Sequence, residues 1–213
     1  MVGRGWLAII LWLASAAAAA AGPWPRERGE VFLAFAVEGD GAMSSYGEYG
    51  LGGGWTFGLD LALAGRGGGP GKRVAILRRS FTAGGVQIAA EAGFGLDARG
   101  QGYARPGIAI GRGFAGPVPG WMALDLRAEL RGDGARYGAE ATLGFRHGDR
   151  LMTVFQAQAM RDPIGGLWIS SQSAVVWQAR KGVQLELGLR HRIAAPIPGP
   201  APLVGRAGVW ISY

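Results

Sequence analysis

The sequence predicts an all-β protein, a transmembrane antiparallel up-and-down β-barrel of about 12 strands. Apolar and polar side chains alternate with a period of two through almost the whole chain after Glu30, and helical periodicity is rare. The alternating segments run about 9–12 residues, the length that a tilted strand needs to cross a bilayer, whereas strands of soluble domains average about 5–6. Glycine-rich connections separate the segments.

Twelve segments carry this alternating pattern. They cover residues 30–38, 44–51, 55–64, 73–81, 86–97, 106–115, 120–131, 136–147, 151–162, 168–180, 183–194 and 204–213. In the eleventh segment, Leu185, Leu187 and Leu189 fall on one face, and Glu186 and Arg190 fall on the other. A soluble lipocalin-type barrel also alternates, but it usually has eight strands and buries its apolar face. Twelve long strands with one polar face favour a lipid-facing exterior.

The fourth and sixth segments are the weakest of the twelve. The fourth carries Arg73, Arg78 and Arg79, which fall on both faces, and the sixth places Arg112 in line with Ile110. Arginine near a membrane boundary can extend its guanidinium to the water, which is compatible with a strand. The alternative is that both segments are loops, which would leave a ten-stranded barrel.

The connections alternate in length along the chain. They are tight after even-numbered segments, as at Lys181-Gly182, and several are longer after odd-numbered segments, at residues 65–72, 98–104 and 195–203. Short periplasmic turns opposite longer external loops are typical of outer-membrane barrels. An even number of strands also places both termini on the periplasmic side.

The first residues have the pattern of a secretory signal peptide. Arg4 supplies the positive charge, residues 6–13 form a short apolar core, and an alanine-rich stretch offers a cleavage site ahead of Gly22. The chain therefore divides into a signal peptide, residues 1–22, and a barrel domain, residues 23–213. No other stretch is apolar over the roughly 20 residues of a membrane helix, which excludes a helical inner-membrane protein.

The last strand is apolar on one face and ends on an aromatic residue. Its final residues resemble the C-terminal insertion signal of Gram-negative outer-membrane β-barrel proteins, with Arg206, Gly208, Ile211 and Tyr213 in the four defined positions. The resemblance implies a location in the cell outer membrane, with outer-membrane lipid and the barrel assembly machinery as partners. The alternative is the last core strand of a soluble β domain.

Composition narrows the possible functions. Forty glycines without a period exclude collagen, and the absence of cysteine excludes disulfides and thiol chemistry. The net charge of +7 indicates either a surface bias that promotes solubility or an attraction to anionic lipid or anionic solutes. Nucleic acid is not expected, since the chain is exported and lacks a basic cluster interleaved with aromatic residues.

The faces that we expect to point inward carry charges of both signs. The pore-lining candidates are Asp125, Arg127, Glu129, Arg131, Glu186, Arg190, Arg192 and Arg206. One interpretation is a network of ion pairs that fills and rigidifies the interior, because buried charges need partners. The other is a selectivity surface along a narrow aqueous pore.

No catalytic, metal or cofactor site is expected. Outer-membrane lipases use a Ser–His pair, but His147 and His191 both fall on the apolar face, and neither has a serine two residues away. Two histidines without cysteine do not make a usual transition-metal site. The protein is therefore predicted not to be an enzyme.

The predicted function is a narrow channel or transporter-like barrel for small polar or anionic solutes. The external loops are too short to fold inward as a long constriction loop, which argues against a general porin. An alternative is a structural or adhesive barrel with a closed lumen, and a lipid-modifying enzyme is less favoured.

Overall fold

The computed structural model describes residues 22–63, 71–195 and 203–213. The expected signal peptide, residues 1–22, lies outside these ranges apart from Gly22. The described residues contain no helix that is long and apolar enough to span a membrane.

Twelve β-strands follow one another along the described chain. They are β1 (Val31–Glu38), β2 (Met43–Gly52), β3 (Trp55–Leu63), β4 (Lys72–Ala83), β5 (Val86–Asp97), β6 (Gly102–Phe114), β7 (Gly120–Arg131), β8 (Gly134–His147), β9 (Leu151–Arg161), β10 (Leu167–Arg180), β11 (Val183–Ala194) and β12 (Leu203–Ser212). Each strand pairs antiparallel with its neighbours in sequence, and β1 pairs with β12 to close the barrel. The predicted all-β, twelve-stranded up-and-down barrel is confirmed.

The two weak segments are both strands, so the ten-stranded alternative is wrong. β4 pairs along its length with β3 and β5, and β6 pairs with β5 and β7. Arg78 points inward and is buried, while Arg73 and Arg112 are exposed on the outside. Arginines occur on both faces of β4, because carboxylates in the lumen pair with Arg78 and the outer Arg73 is exposed.

Strand β6 begins four residues earlier than the sequence predicts, at Gly102. Tyr103 and Arg105 point inward and are buried, and Pro106 is the register partner of Ala92 on β5. The sequence analysis placed residues 98–104 in a connection, so this part of the strand was not expected. The neighbouring strand β5 holds the stretch in the sheet through its own backbone.

The outer surface of the barrel is an apolar band. Large hydrophobic side chains at alternate positions are well exposed around the wall, for example Phe57 and Leu59 on β3, Leu124 on β7, Phe155 on β9 and Leu187 on β11. The charged and small residues of the same strands point inward. In β11, the leucines point outward and Glu186 points inward, as the alternation of the eleventh segment predicted.

The two ends of the barrel differ. The short-turn end carries both barrel termini and the connections 53–54, 84–85, 115–119, 148–150 and 181–182, and the opposite end is called the long-loop end. Gly84 and Gly85 both have positive φ, as a two-residue hairpin turn of type I′ requires. At the long-loop end, the connection between β5 and β6 shortens to 98–101. The predicted long connections 65–72 and 195–203 lie largely outside the described residues.

Candidate functional site

The barrel encloses a cavity of about 270 Å³ in its lumen. Inward side chains from strands all around the wall line it, because every second residue of each strand points to the axis. Its charged lining residues are Asp60, Lys72, Arg78, Glu91, Arg105, Asp125, Arg127, Glu140, Glu186, Arg190 and Arg206. Cations and anions are nearly balanced, so the lumen is a highly polar space inside an apolar shell.

The centre of the first ionic network is Glu48 on β2. Its Oε1 accepts a hydrogen bond from Nη1 of Arg78 at 2.7 Å, and its Oε2 accepts one from Nε of Arg26 at 2.6 Å. The Tyr46 hydroxyl donates to the same carboxylate at 2.7 Å. A carboxylate this deeply buried is tolerated because two cations and a hydroxyl satisfy it.

This network continues around the wall from β4 to β6. Nη2 of Arg78 lies 3.1 Å from Oε2 of Glu91, and Nη2 of Arg105 lies 2.7 Å from the other oxygen of Glu91. Asp60 then joins Nη1 of Arg105, at 3.2 Å, to Nζ of Lys72, at 2.6 Å. Four strands are thereby cross-linked through their inward side chains.

A second network crosses the seam between β1 and β12. Oε1 of Glu38 on β1 forms ion pairs with Nη1 of Arg190 at 2.7 Å and with Nη1 of Arg206 at 3.3 Å. Arg206 also donates through Nε to Glu186 at 2.8 Å, and Trp210 donates its indole N–H to the same carboxylate at 2.8 Å. The structure therefore brings together three of the predicted pore-lining residues, Glu186, Arg190 and Arg206.

The four pore-lining candidates on β7, which are Asp125, Arg127, Glu129 and Arg131, alternate in charge but do not all pair along the strand. Glu129 and Arg131 do form an ion pair at 2.7 Å, near the long-loop end, and Arg131 also reaches Asp97 on β5 at 3.1 Å. Neither Glu129 nor Arg131 lines the cavity. The Arg131 guanidinium covers the buried ring of Tyr103, with its central carbon 4.2 Å from the ring centre.

The other two β7 candidates, Asp125 and Arg127, line the cavity. Arg127 pairs with Glu140 on β8 at 3.8 Å, and Gln156 and Gln158 donate to the two oxygens of Glu140 at 3.0 and 2.9 Å. Asp125 is the register partner of Glu140, and it has no ion pair or hydrogen bond with any residue of the described ranges. Both side chains line the cavity, and two like charges that face each other directly repel.

Arg192 lies apart from Arg190 and Arg206, the other basic pore-lining candidates on the last two strands. It is on the inward face of β11, opposite Ser170, and is half-buried. It does not line the cavity, and it forms no ion pair with any described residue. The cluster of Arg190 and Arg206 is therefore real, but Arg192 is not part of it.

The residues of the C-terminal pattern lie along the closing seam. Gly208 points inward where a Cβ atom would come within 2.8 Å of the Phe35 carbonyl and 3.0 Å of the Glu186 carboxylate. Ile211 is paired with Val183, and the Tyr213 backbone exchanges two hydrogen bonds with Val31. The segment completes the barrel, and its recognition as an insertion signal stays a prediction.

The segment before β1, residues 22–30, enters the lumen from the short-turn end. Pro23 and Pro25 cannot donate to a sheet ladder, so the strand does not extend upstream, and Gly29, with φ of 84°, turns the chain inward. Arg26 is only 2% exposed. Its backbone N–H donates to Thr56 Oγ1 at 3.2 Å, and the Gly22 carbonyl accepts from Arg78 at 2.7 Å.

Trp24 of this segment packs against an apolar cluster of the inner wall. The cluster consists of Trp121, Met152, Val154 and Val176, with Trp210 at its edge. The sequence reasoning missed the segment, because a short non-periodic stretch carries no signal for a position inside a barrel. The one available clue was Arg26, which follows two prolines and precedes acidic residues. Its charge would need a partner if this segment were buried.

The two histidines lie on the outer face. His147 is hydrogen-bonded to Thr153 at 2.9 Å. His191 is the register partner of Ser171 on β10, a serine that a search along one strand does not find. No hydrogen bond joins His191 to Ser171 in the described structure, and that part of the chain contains no cluster of metal-ligating side chains.

No protein-family model matches this sequence, and neither does any curated protein. Among solved structures, the KdgM porin in complex with disordered oligogalacturonate matches with a TM-score of 0.64, at 6% identity, over 86% of this chain and 99% of that chain. The NanC porin matches with a TM-score of 0.64, at 6% identity, over 85% of this chain and 98% of that chain. These likenesses establish the barrel fold, and the function has to be argued from this chain's own lumen.

Proposed function

We propose that this protein is an integral outer-membrane channel for small polar solutes, including anions. The observation that carries the proposal is the charged cavity of about 270 Å³ inside a closed barrel whose outer surface is apolar. A soluble barrel has the opposite arrangement, with apolar side chains inside. A polar lumen within an apolar shell is the arrangement of barrels that carry water and solutes across a bilayer.

The apolar band supports the membrane location. Leu187, near the middle of β11, is 69% exposed, and Phe94, toward the long-loop end of β5, is 61% exposed. A surface of this kind would drive aggregation in water, whereas hydrocarbon accepts it at no cost, and the closed sheet leaves no backbone group unpaired at an edge. The KdgM and NanC structures, which share the fold, are porins. Outer-membrane lipid and the barrel assembly machinery are the partners that this location implies.

The preference for polar or anionic solutes is argued from two cations that line the cavity, Arg190 and Arg127. The Arg190 side chain is 30% exposed although it pairs with Glu38, and the contact between Arg127 and Glu140 is long, at 3.8 Å. Both guanidinium groups can therefore bind an anionic group of a passing solute without losing their own partners. The KdgM structure contains an oligogalacturonate, which supports an anionic solute class here.

A closed barrel is the second candidate, and a specific observation favours it. Residues 22–30 and the Trp24 cluster occupy the short-turn end of the lumen, and most cavity charges already have partners. A structural barrel would need no more than this. We assign no catalytic role to His147 or His191, so an enzyme is the least supported alternative.

Planar-bilayer recordings on refolded protein test the proposal. We expect discrete channel events from preparations that show heat-modifiable migration on gels, and swelling of vesicles in small sugars and sugar acids. Correctly folded protein that gives neither current nor swelling, with residues 22–30 both present and removed, would exclude the channel and leave the closed barrel. Recovery of the native protein from the soluble periplasm would exclude the membrane location.

A further inference from the structure

The segment 22–30 runs inside the lumen, where the proposed channel would have to be open. We infer that these residues form a plug that restricts the channel at the short-turn end and that its displacement sets the conductance; the inference rests on the proposed channel function. Three features of the structure support it: a buried ion pair, a wall shaped to the segment, and wall charges that keep a partner when the segment leaves.

Arg26 is the polar anchor of the plug. Its Nε lies 2.6 Å from Glu48, its Nη1 lies 3.3 Å from Glu30, and its guanidinium stacks 4.7 Å from the centre of the Phe32 ring. The Arg26 and Glu48 side chains are both almost fully buried. A guanidinium held this way by the inner wall places the segment at one depth in the lumen.

At two positions where the plug passes closest, the inner wall has a glycine in place of a side chain. A Cβ atom at Gly50 on β2 would collide with the backbone carbonyl of Glu27, and one at Gly111 on β6 would lie 2.6 Å from Pro23 and 2.7 Å from the Trp24 ring. Neither glycine has a positive φ, so backbone conformation does not require glycine at these positions. Contact with the segment is the reason that the structure offers.

Gly113 provides the comparison within β6. It lies two residues from Gly111 on the same face of the strand, and its nearest neighbour to an added Cβ is 3.8 Å away, at the Gly120 carbonyl. A Cβ atom fits there without touching the plug. The two positions therefore separate an effect on the plug from a general effect of a larger residue in this strand.

The charges of the wall remain paired when the plug leaves. Glu48 keeps Arg78 at 2.7 Å and the Tyr46 hydroxyl, and Arg78 keeps Glu91 at 3.1 Å. Displacement therefore exposes no isolated buried charge in the barrel. The segment is joined to β1 through Gly29, and its own backbone bonds to the barrel are few, such as Gly29 N–H to the Gly50 carbonyl at 2.9 Å. It can move as a unit while the twelve strands stay in register.

Single-channel recordings on Gly111→Val, Trp24→Ala and Gly113→Val proteins test the plug. We expect Gly111→Val and Trp24→Ala to raise the mean conductance or open probability about twofold or more, and Gly113→Val to behave as the wild type. All three should retain heat-modifiable migration, which shows that the barrel has folded. Equal currents from the wild type, Gly111→Val and Trp24→Ala proteins would overturn the plug and leave the channel intact.

Thiol labelling gives a readout that does not need a current. The chain has no cysteine, so a Thr56→Cys variant carries a single thiol on the wall beneath Arg26. We expect a membrane-impermeant maleimide to label it slowly, and at least about tenfold faster when Trp24→Ala is added, as for a site uncovered by a shifted equilibrium. Faster labelling without current from any variant would support the plug but not the channel. Equal labelling rates in the two backgrounds would show that the segment does not cover the wall.

Discussion

Glu38 and Arg206 are register partners across the seam that closes the barrel, and their side chains form an ion pair at 3.3 Å inside it. Arg206 also holds Glu186 at 2.8 Å. The first and last strands of the barrel are thus joined by backbone pairing and by one guanidinium that serves two carboxylates. This arrangement makes the seam sensitive to the loss of a single side chain.

Replacing Arg206 with glutamine should destabilise the barrel by about 3 kcal/mol, because two largely buried carboxylates lose their shared cation. The measurement is the urea dependence of folding in lipid vesicles. Arg99→Gln, in the connection between β5 and β6, is the matched control and should change stability by less than about 0.5 kcal/mol. Similar midpoints for the two variants would contradict a stabilising role of the seam network.

Gly208→Ala should destabilise the barrel by about 1–3 kcal/mol, because the added Cβ meets the Phe35 carbonyl at 2.8 Å and the backbone there is fixed by strand pairing. Gly205→Ala on the same strand is the control, since nothing lies within 4 Å of its Cβ. Both are measured on purified protein refolded without assembly factors, so that recognition of the C-terminal pattern does not contribute. The prediction is wrong if both variants refold with equal stability.

Leu187→Arg should cost about 2–4 kcal/mol of folding free energy in vesicles, because an arginine near the middle of the bilayer is expensive. Leu187 is 69% exposed and lies at the centre of β11. Leu203→Arg, at the long-loop end of β12, should cost only about 0–1 kcal/mol, because it lies near the interface. A soluble barrel would respond the other way, with higher solubility from both substitutions and no dependence on depth.

Neutralising Arg127 and Arg190, two cations that line the cavity, should reduce anion preference. In Arg127→Gln and Arg190→Gln proteins, the ratio of anion to cation permeability should fall about twofold, because carboxylates then dominate the lumen. Reversal potentials under a salt gradient measure this ratio. Arg112→Gln, on the outer face, should leave it unchanged. An unaltered reversal potential in all three proteins would mean that these guanidinium groups do not face the permeation path.

The sequence predicted strands well where alternation was clean and poorly where it was interrupted. Leu124 and Asp125 fall on opposite faces of β7 as the period of two requires. The start of β6 was missed because residues 102–104 were assigned to the connection 98–104. Pairing with β5 holds this part of β6 in the sheet, and the local sequence of β6 does not reveal that pairing.

The ion pairs were only partly predictable. Glu129 and Arg131 pair as neighbours on one strand, but Arg127 pairs with Glu140 on the next strand, and Asp125 has no partner among the described residues. Which charges meet depends on the register between strands. The sequence of one strand shows only the spacing of its own charges. Arg192 was therefore named as a pore-lining candidate together with Arg190, although it lies outside the cluster that Arg190 forms with Glu38 and Arg206.

The amino-acid sequence by itself determined the all-β class and, in strands with clean alternation, which side chains face the lumen, because covalent geometry alternates side chains along any strand. Only the tertiary structure decided that the fourth and sixth segments are strands, which inward charges pair and where residues 22–30 lie. Those outcomes depend on contacts between residues far apart in the chain, such as Arg26 with Glu48 and Gly22 with Arg78. Such contacts exist only once the barrel has closed, since closure is what brings β2, β4 and the segment before β1 around one cavity.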